Sequence, residues 1–537
     1  MQYAAALSRA EAFVSPMMLS SFLGGRWHSA SGRITSLVDP VTGEVVAQVG
    51  STGLDFAEGL ACARRTGGAL RSLSFAERAN LLQRVADVLS ANRAKYFEIA
   101  LRNSGSPAAD AAIDIDGAIY TLKYFAKAGA SLGDARSFLD GGLIRLAKDE
   151  GFQAQHLFVP LKGAAVFINA FNFPAWGLWE KAAPALLAGV PIVAKPATAT
   201  CWLTHSMVSD VLEAKVLPEG TLSLICGSAG DLLSHLTCDD VVSFTGSAET
   251  ALHIRSHENL LRKSVRVNVE ADSINSAVLG PDAGPGSVEF ELFLSEVVRE
   301  MTVKAGQKCT AIRRAFIPAP FLEAASEALS CNLRNVVVGN PRNSSVQMGP
   351  LVNRAQLDAA HTGLAALQRE TTVLQGGISD FKPVDADLAD GAFLPPTLLR
   401  CEDSGSAVAV HNVEVFGPVA TLLPYRSEAQ AFDLVRRGQG SLVASLFSAD
   451  TKFLEESARA LGDAHGRLLA VDASIGKSQT GHGNVMPMCL HGGPGRAGGG
   501  EELGGLRALL FYLRRTVLQG PLPVLKSIQE GACQFSL

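Results

Sequence analysis

Several features that would direct attention to particular protein classes are missing from this sequence. Its nine cysteines are scattered irregularly through 537 residues, with no C-x-x-C pair. An odd, irregular set of this kind does not indicate a disulfide framework and fits a reducing compartment. No apolar run approaches the roughly twenty residues that cross a membrane. The N-terminus lacks the basic and apolar segments of a secretory signal, so we expect a cytoplasmic protein whose residues 1–18 are a loose leader.

The charge balance also excludes some partners. Lys and Arg total 47 against 52 for Asp and Glu, giving a net charge of −5. A nearly neutral chain gives no support for nucleic-acid binding. Apolar residues make up 47% of the chain, and charged residues 18%. That is an ordinary globular composition. A chain of this length is expected to fold as about two to four domains.

The hydrophobic pattern predicts an α/β fold from residue 163 onwards. Short apolar segments at 164–168, 190–194, 222–225 and 241–244 alternate with stretches of helical periodicity. Fully apolar strands separated by helices are typical of a doubly wound parallel sheet, which binds ligands at the carboxyl ends of its strands. A second α/β region is expected to extend from 282 to about 480.

Two further segments have the character of exposed β-structure. Residues 142–162 are rich in β-formers between Gly151 and Pro160, which predicts an extended hairpin. An exposed hairpin edge needs a partner, and oligomerisation is one explanation. The apolar segment 506–517 is expected to be an edge strand or an interface element.

Polar residues that could take part in catalysis follow several of these strands. Cys309 lies on a glycine-led bend that starts at Gly306, where backbone N–H groups can lower a thiol pKa and bind an oxyanion. Asn172 follows the first buried strand and could supply a second oxyanion donor. Glu270 follows a period-two strand, where burial can make a carboxylate a general base. Taken singly, the ordinary explanations are a core cysteine, a turn asparagine and a loop glutamate.

A second group of residues suits a nucleotide. The Gly246-Ser247 pair turns a strand into a helix, and the free amides and dipole of a helix N-terminus attract a pyrophosphate. Lys195 follows another strand and could contact a ribose or phosphate. Glu414 and Phe416 stand beside a Gly-Pro turn. Each of these also has an ordinary structural explanation.

Together, and in this order, the motifs resemble the aldehyde dehydrogenase superfamily over residues 20–515. The motifs that carry the resemblance are Asn-Phe-Pro at 172–174, Lys-Pro at 195–196, Phe-Thr-Gly-Ser at 244–247, the Glu270 segment, Gly-Gln-x-Cys at 306–309 and Glu-x-Phe-Gly-Pro at 414–418. The resemblance implies a cofactor-binding domain (19–141 and 163–281), a catalytic domain (282–485) and an oligomerisation arm (142–162 and 505–537).

The resemblance also implies a catalytic role for particular residues. Cys309 would attack the aldehyde, with Asn172 and the Cys309 amide holding the oxyanion, and Glu270 would activate water to hydrolyse the thioester. Lys181 and Glu502 match positions that the family uses for proton relay. No metal is implied.

For the cofactor, the resemblance implies that Gly246 and Ser247 hold the pyrophosphate, Glu414 the nicotinamide ribose and Phe416 the ring. Thr198 stands where NAD-preferring members usually have a glutamate that binds the ribose hydroxyls. Without that carboxylate nothing repels a 2′-phosphate, and Lys195 could pair with it, so NADP is the expected cofactor.

The glycine-rich run at 491–505 is similar to the branch of this superfamily that oxidises CoA-linked semialdehydes in aromatic-acid breakdown. That likeness implies 3,4-dehydroadipyl-CoA semialdehyde as the substrate and a homo-oligomer, with a dimer favoured. Two alternatives remain open. A CoA-acylating enzyme would generally lack the Glu270 base, and a catalytically silent member would have no need of the intact Cys309, Glu270 and Asn172 set.

Overall fold

The computed structural model describes residues 16–377 and 381–535. Its strands are β1 (Met17–Leu19), β2 (Ser21–Leu23), β3 (Arg26–His28), β4 (Thr35–Val38), β5 (Val45–Val49), β6 (Ser137–Arg145), β7 (Phe152–Pro160), β8 (Ala165–Ile168), β9 (Ile192–Lys195), β10 (Leu222–Leu224), β11 (Val241–Thr245), β12 (Arg266–Glu270), β13 (Asn275–Leu279), β14 (Ile312–Pro318), β15 (Thr372–Gln375), β16 (Thr397–Arg400), β17 (Val419–Tyr425), β18 (Ser441–Phe447), β19 (His465–Val471), β20 (Leu490–Gly492), β21 (Glu501–Leu503), β22 (Leu513–Pro521) and β23 (Ala532–Gln534).

The helices alternate with these strands along most of the chain. They are α1 (Phe56–Ser72), α2 (Phe75–Ala91), α3 (Arg93–Ser104), α4 (Ala108–Ala130), α5 (Trp176–Ala188), α6 (Cys201–Glu213), α7 (Ala248–Arg255), α8 (Glu258–Lys263), α9 (Val288–Thr302), α10 (Leu322–Arg334), α11 (Arg354–Leu367), α12 (Ala409–Asn412), α13 (Glu428–Arg436), α14 (Thr451–Leu461) and α15 (Leu522–Glu530). Among the described helices, none combines the length and the apolarity that a membrane crossing requires.

The first large sheet has the strand order β12-β11-β8-β9-β10-β2-β3. Strands β8 to β12 are parallel, and β2 and β3 add an antiparallel edge. The parallel strands are almost wholly buried because helices cover both faces, which explains their continuous apolar sequences. The chain order reverses at β8, so the carboxyl ends of β8 and β11 border the crevice where ligands bind in such sheets. The expected doubly wound α/β fold is confirmed.

The second large sheet has the order β15-β16-β17-β14-β13-β18-β19, with only β15 antiparallel. The Cys309 loop enters β14, and the loop that carries Glu414 and Phe416 enters β17. Because β14 and β17 are adjacent parallel strands, these two loops lie side by side. They close over the carboxyl ends of the first sheet.

A third sheet, with the order β22-β7-β6-β23, contains the hairpin. Strands β6 and β7 are antiparallel, as the sequence predicts, and the hairpin begins at Ser137 rather than at 142. The segment 506–517 contains 3₁₀ turns up to Tyr512 and then the edge strand β22. Leu509 and Tyr512 pack in the core around α5, so the first residues of the expected arm belong to the body.

Two other boundaries differ from the sequence-based ones. Strand β13 pairs with β14 and β18, so the second α/β unit starts before residue 282. Met17 and Met18 form part of β1, which pairs with β5. The last two residues of the expected leader 1–18 are therefore folded. Its residues 1–15 lie outside the described part of the chain. Apolar periodicity alone could not show with which sheet a short buried strand pairs.

Candidate active site

The Cys309 loop has an unusual backbone conformation. Lys304, Ala305 and Gly306 have φ values of 54°, 52° and 67°, a left-handed run that ordinary residues seldom adopt. A Cβ on Gly306 would lie 2.2 Å from the carbonyl oxygen of Gly417, so only glycine fits. The loop therefore packs backbone to backbone against the turn that follows Phe416. Such local strain is typical of functional sites.

Arg313 fastens these two loops together, and sequence reasoning missed it. Its guanidinium donates hydrogen bonds to the carbonyls of Gly417 (2.7 Å), Gly306 (2.9 Å) and Lys308 (3.2 Å). It also lies 3.6 Å from the Glu414 carboxylate. The side chain is 4% exposed. In the sequence, Arg313 is one of two arginines at the start of an otherwise apolar strand, and that buried pair of charges was the available signal.

Glu270 ends strand β12 and is buried beside Cys309. Among the described residues, no directed hydrogen-bond donor reaches either of its carboxylate oxygens. Burial alone would raise the pKa of Glu270, but the charge and close contact of His491, with the charge of Lys181, lower it to about 2. Glu270 is therefore ionised at neutral pH and can accept a proton from a water molecule or a thiol.

His491 was missed as a site residue. Its Nε2 atom lies 2.7 Å from Glu270 Oε2, and both side chains are 3% exposed. The reactive atoms of His491, Glu270 and Cys309 all lie within 4.8 Å of one another. Burial alone would lower the pKa of His491, but the neighbouring carboxylates raise it overall. His491 begins a glycine-rich run and belongs to no periodic pattern in the sequence. Its contact with Glu270 is therefore apparent only from the fold.

The thiol of Cys309 is costly to ionise in this resting arrangement. Burial raises its pKa well above the usual value, and the charge of Glu270 adds to the effect. Asn172, Asn169 and Glu180 line a small cavity with Cys309 and Glu270. Asn172 is 8% exposed. Asn172 and Cys309 thus border the same cavity, and the oxyanion role of Asn172 stays a prediction.

Lys181 and Glu502 form a buried group with Glu180. The Lys181 ammonium is 2.6 Å from Glu180 and 2.9 Å from Glu502, and its side chain is 1% exposed. Glu502 also accepts hydrogen bonds from Ser243 (2.6 Å) and Asn268 (3.1 Å). Burial raises the pKa of Glu180 to about 8. These side chains form a continuous buried set of proton donors and acceptors. Their link to Glu270 is electrostatic, since the charge of Lys181 lowers the pKa of Glu270.

A cavity of about 670 Å³ lies on one side of Cys309, between the two large sheets. All six expected cofactor residues line it, namely Lys195, Thr198, Gly246, Ser247, Glu414 and Phe416. Burial lowers the pKa of Lys195, and burial raises that of Glu414 to about 7. Ser247 caps helix α7 by accepting from the Thr250 amide, and Asp272 accepts from the Ala248 amide. The protein itself thus occupies part of the predicted pyrophosphate site.

A second cavity, of about 440 Å³, approaches Cys309 from the other side. Its lining is mainly apolar and comes from α4, α5 and the loop before β20, including Ile113, Tyr120, Trp176, Val485 and Met486. Cys309 borders both the larger cavity, which carries several charged side chains, and this mainly apolar cavity, which we call the apolar tunnel. Its sulfur can bond covalently to a ligand in the tunnel while that ligand faces the larger cavity.

Comparison with known proteins now identifies the class. A family model described as "Aldehyde dehydrogenase family" matches residues 27–517, so the chain belongs to this family. It is 56% identical over 479 residues to a 3,4-dehydroadipyl-CoA semialdehyde dehydrogenase of Aromatoleum evansii, covering 89% of this chain and 93% of that one. It is 26% identical over 509 residues to a 2-hydroxymuconic semialdehyde dehydrogenase of a Pseudomonas species, covering 92% and 97%. The resemblance inferred from the motifs is confirmed.

Solved structures give the same fold. A betaine aldehyde dehydrogenase of Staphylococcus aureus, determined in complex with NAD⁺, superposes with a TM-score of 0.82 at 23% identity, covering 94% of this chain and 97% of that one. At that identity the likeness shows the fold alone. The chain is therefore an aldehyde dehydrogenase with the family's architecture.

Proposed function

We propose that this enzyme oxidises a CoA-linked semialdehyde to the corresponding acid with NADP as the hydride acceptor. The substrate in this proposal is 3,4-dehydroadipyl-CoA semialdehyde or a near analogue. The observation that carries the proposal is the position of Cys309, which lines both the larger cavity and the apolar tunnel beside an ionised Glu270.

The catalytic steps follow from the groups around the thiol. The Cys309 thiol gives its proton to the ionised Glu270 as its sulfur adds to the aldehyde carbon, and the Asn172 amide with the Cys309 N–H stabilises the resulting oxyanion. Gly246, Ser247, Glu414 and Phe416 would hold NADP⁺ in the larger cavity, where it would supply the acceptor for the hydride that leaves this carbon. Glu270 releases the thiol proton before the hydrolytic step. Glu270 then removes a proton from water, which attacks the thioester and releases the acid. Lys181 and Glu502 provide the buried route by which protons leave.

The cofactor preference rests on Thr198 and Lys195. Both line the cavity, and the carboxylates in its lining, Glu270, Asp272 and Glu414, come from other strands and loops. Thr198 presents a hydroxyl 3.5 Å from the Gly227 carbonyl and carries no charge to repel a phosphate. The Lys195 ammonium can pair with a 2′-phosphate. These groups fit NADP better than NAD.

The CoA-linked substrate is supported by the 56% identity to the Aromatoleum enzyme and by the apolar tunnel. A tunnel of about 440 Å³ is of a size that takes a carbon chain, since ligand sites commonly enclose about 300–1,000 Å³. The charged nucleotide end of CoA would remain at the mouth, near Tyr120, which is 46% exposed. We also propose a cytoplasmic homodimer in which the exposed apolar residues of the third sheet, including Phe152 and Val517, are covered.

The test is steady-state kinetics with NAD and NADP against free and CoA-linked semialdehydes. We expect the highest kcat/KM with NADP and the CoA-linked aldehyde. A preference for NAD would contradict the cofactor assignment, and equal use of free aldehydes would contradict the substrate assignment. Thr198→Glu should shift preference towards NAD by tenfold or more, because like-charge repulsion of about 1.4 kcal/mol is a tenfold change.

The same assay separates hydrolysis from acyl transfer to CoA. Because Glu270 is ionised beside Cys309, we expect the free acid without added CoA. Formation of acyl-CoA from a simple aldehyde, only when free CoA is supplied, would instead indicate a CoA-acylating enzyme. The absence of NADPH formation with every aldehyde tried would indicate a catalytically silent member.

A further inference from the structure

The pairing of His491 with Glu270 has a consequence for the hydrolytic step. Neither residue is at the surface, and their contact at 2.7 Å is the closest approach that any described charged group makes to the Glu270 carboxylate. The His491 ring packs edge-on against Trp176, with centroids 5.3 Å apart. Its backbone pairs with Glu502 across the short β20–β21 ladder. Ring packing and backbone pairing therefore both restrict the position of the imidazole.

We propose that His491 is a positioning residue that keeps Glu270 ionised and directed at Cys309, so that Glu270 can take a proton from water over a wide pH range. The inference rests on the proposed function, because it assumes hydrolysis of an acyl group on Cys309. In that step an O–H bond of water breaks, the proton goes to Glu270, and the oxygen bonds to the thioester carbon. The thiolate of Cys309 leaves with its bonding electrons and is then protonated.

The charges around the pair explain why such a partner is needed. The titratable groups that face His491 and Glu270 are Glu180 and Lys181 from α5, Glu502 from β21, and Cys309. Three carboxylates in this buried set face only one permanent cation, Lys181, which already contacts two of them. Without His491, burial and the neighbouring carboxylates would favour the protonated form of Glu270, which cannot accept a proton.

The sign of the pH effect follows from these shifts. With His491 present, the pKa of Glu270 is about 2, so the base is available throughout pH 5–9. With the imidazole removed, the two contributions of His491 that lower the pKa of Glu270 are lost, and burial, which raises it, is opposed mainly by Lys181. We therefore expect the pKa of Glu270 to rise. The variant should then lose hydrolysis as the pH falls, whereas the wild type should not.

The experiment isolates the hydrolytic step from cysteine ionisation. Cys309 is acetylated with p-nitrophenyl acetate at pH 8, the reagent is removed, and the acyl-enzyme is diluted into buffers of pH 5–9. Loss of the acetyl group is followed by intact-protein mass spectrometry. His491→Gln retains a side chain that can donate to Glu270 but cannot carry charge. His205→Gln, a half-buried histidine of α6 beside Trp27, is the matched control.

We expect the wild type and His205→Gln to change less than about twofold between pH 8 and pH 5, and His491→Gln to slow by tenfold or more, one pH unit of titration being a tenfold change. A uniform slowing at every pH, or a profile that matches the wild type, would overturn the inference. His491→Asn serves as a second variant if His491→Gln does not fold, judged by circular dichroism and NADP binding. Failure of wild-type Cys309 to become acetylated would overturn the proposed function itself.

Discussion

Arg313→Met is the substitution that most directly tests how the two halves of the site are held together. The change removes donors from the carbonyls of Gly417, Gly306 and Lys308 and the counter-charge from Glu414. Removing one partner of a buried ion pair costs about 3–5 kcal/mol because the other charge remains. Part of that cost is relieved here, since Glu414 can take up a proton. We therefore expect the free energy of unfolding to fall by less than this full cost, by about 2–3 kcal/mol.

Urea unfolding followed by tryptophan fluorescence at pH 7 measures this loss. Arg313→Lys keeps the charge but not the forked geometry, so its loss should be smaller, about 1–2 kcal/mol. In the double variant with Glu414→Gln the two effects should not add, because the residues interact directly. The Arg313→Met protein should also bind NADP more weakly, since the Glu414–Phe416 loop lines the cofactor cavity. A loss below about 1 kcal/mol with unchanged NADP affinity would refute the assignment of Arg313 as the link between the loops.

Three further predictions concern the reaction and its pH dependence. Cys309→Ala should abolish aldehyde oxidation and leave NADP binding, measured by fluorescence titration, unchanged; residual turnover would exclude Cys309 as the nucleophile. Glu270→Gln should still give one burst of NADPH and then stall as an acyl-enzyme visible by mass spectrometry, whereas a normal steady rate would remove Glu270 from its role. Glu414 has a pKa of about 7, so the folded state holds a proton that the unfolded chain releases above pH 4.5, and its ionisation destabilises the fold as pH rises to 7. The stability of Glu414→Gln relative to the wild type should therefore rise by about 2–3 kcal/mol between pH 5 and pH 8, by urea unfolding at both pH values, because only the wild type loses stability as Glu414 ionises; an equal difference at both would contradict the raised pKa.

The sequence alone determined the elements that carry the site. The alternation of buried apolar strands with helices predicted the doubly wound sheet because parallel strands covered on both faces must be apolar throughout. The start of α2 is set by the Ser74–Glu77 capping box, whose hydrogen bonds are local in sequence. The six motifs predicted the family and the residues that line the cofactor cavity. Each of these signals lies within a few residues of the chain.

Only the tertiary structure decided which charges meet. His491 and Glu270 are more than two hundred residues apart. They meet because β20 pairs with β21, and the loop between these two strands is hydrogen-bonded to the end of β12 through the Gly500 amide and the Val269 carbonyl. The sequence does not show what Arg313 binds, because its acceptors, the carbonyls of Gly306 and Gly417, come together only in the folded chain. The pairing of β13 with the second sheet was decided by the same long-range packing. Local propensity and spacing specify elements and motifs. Burial and neighbouring charges, which together shift the pKa values of Glu270, His491 and Cys309, depend on every segment packed around these residues.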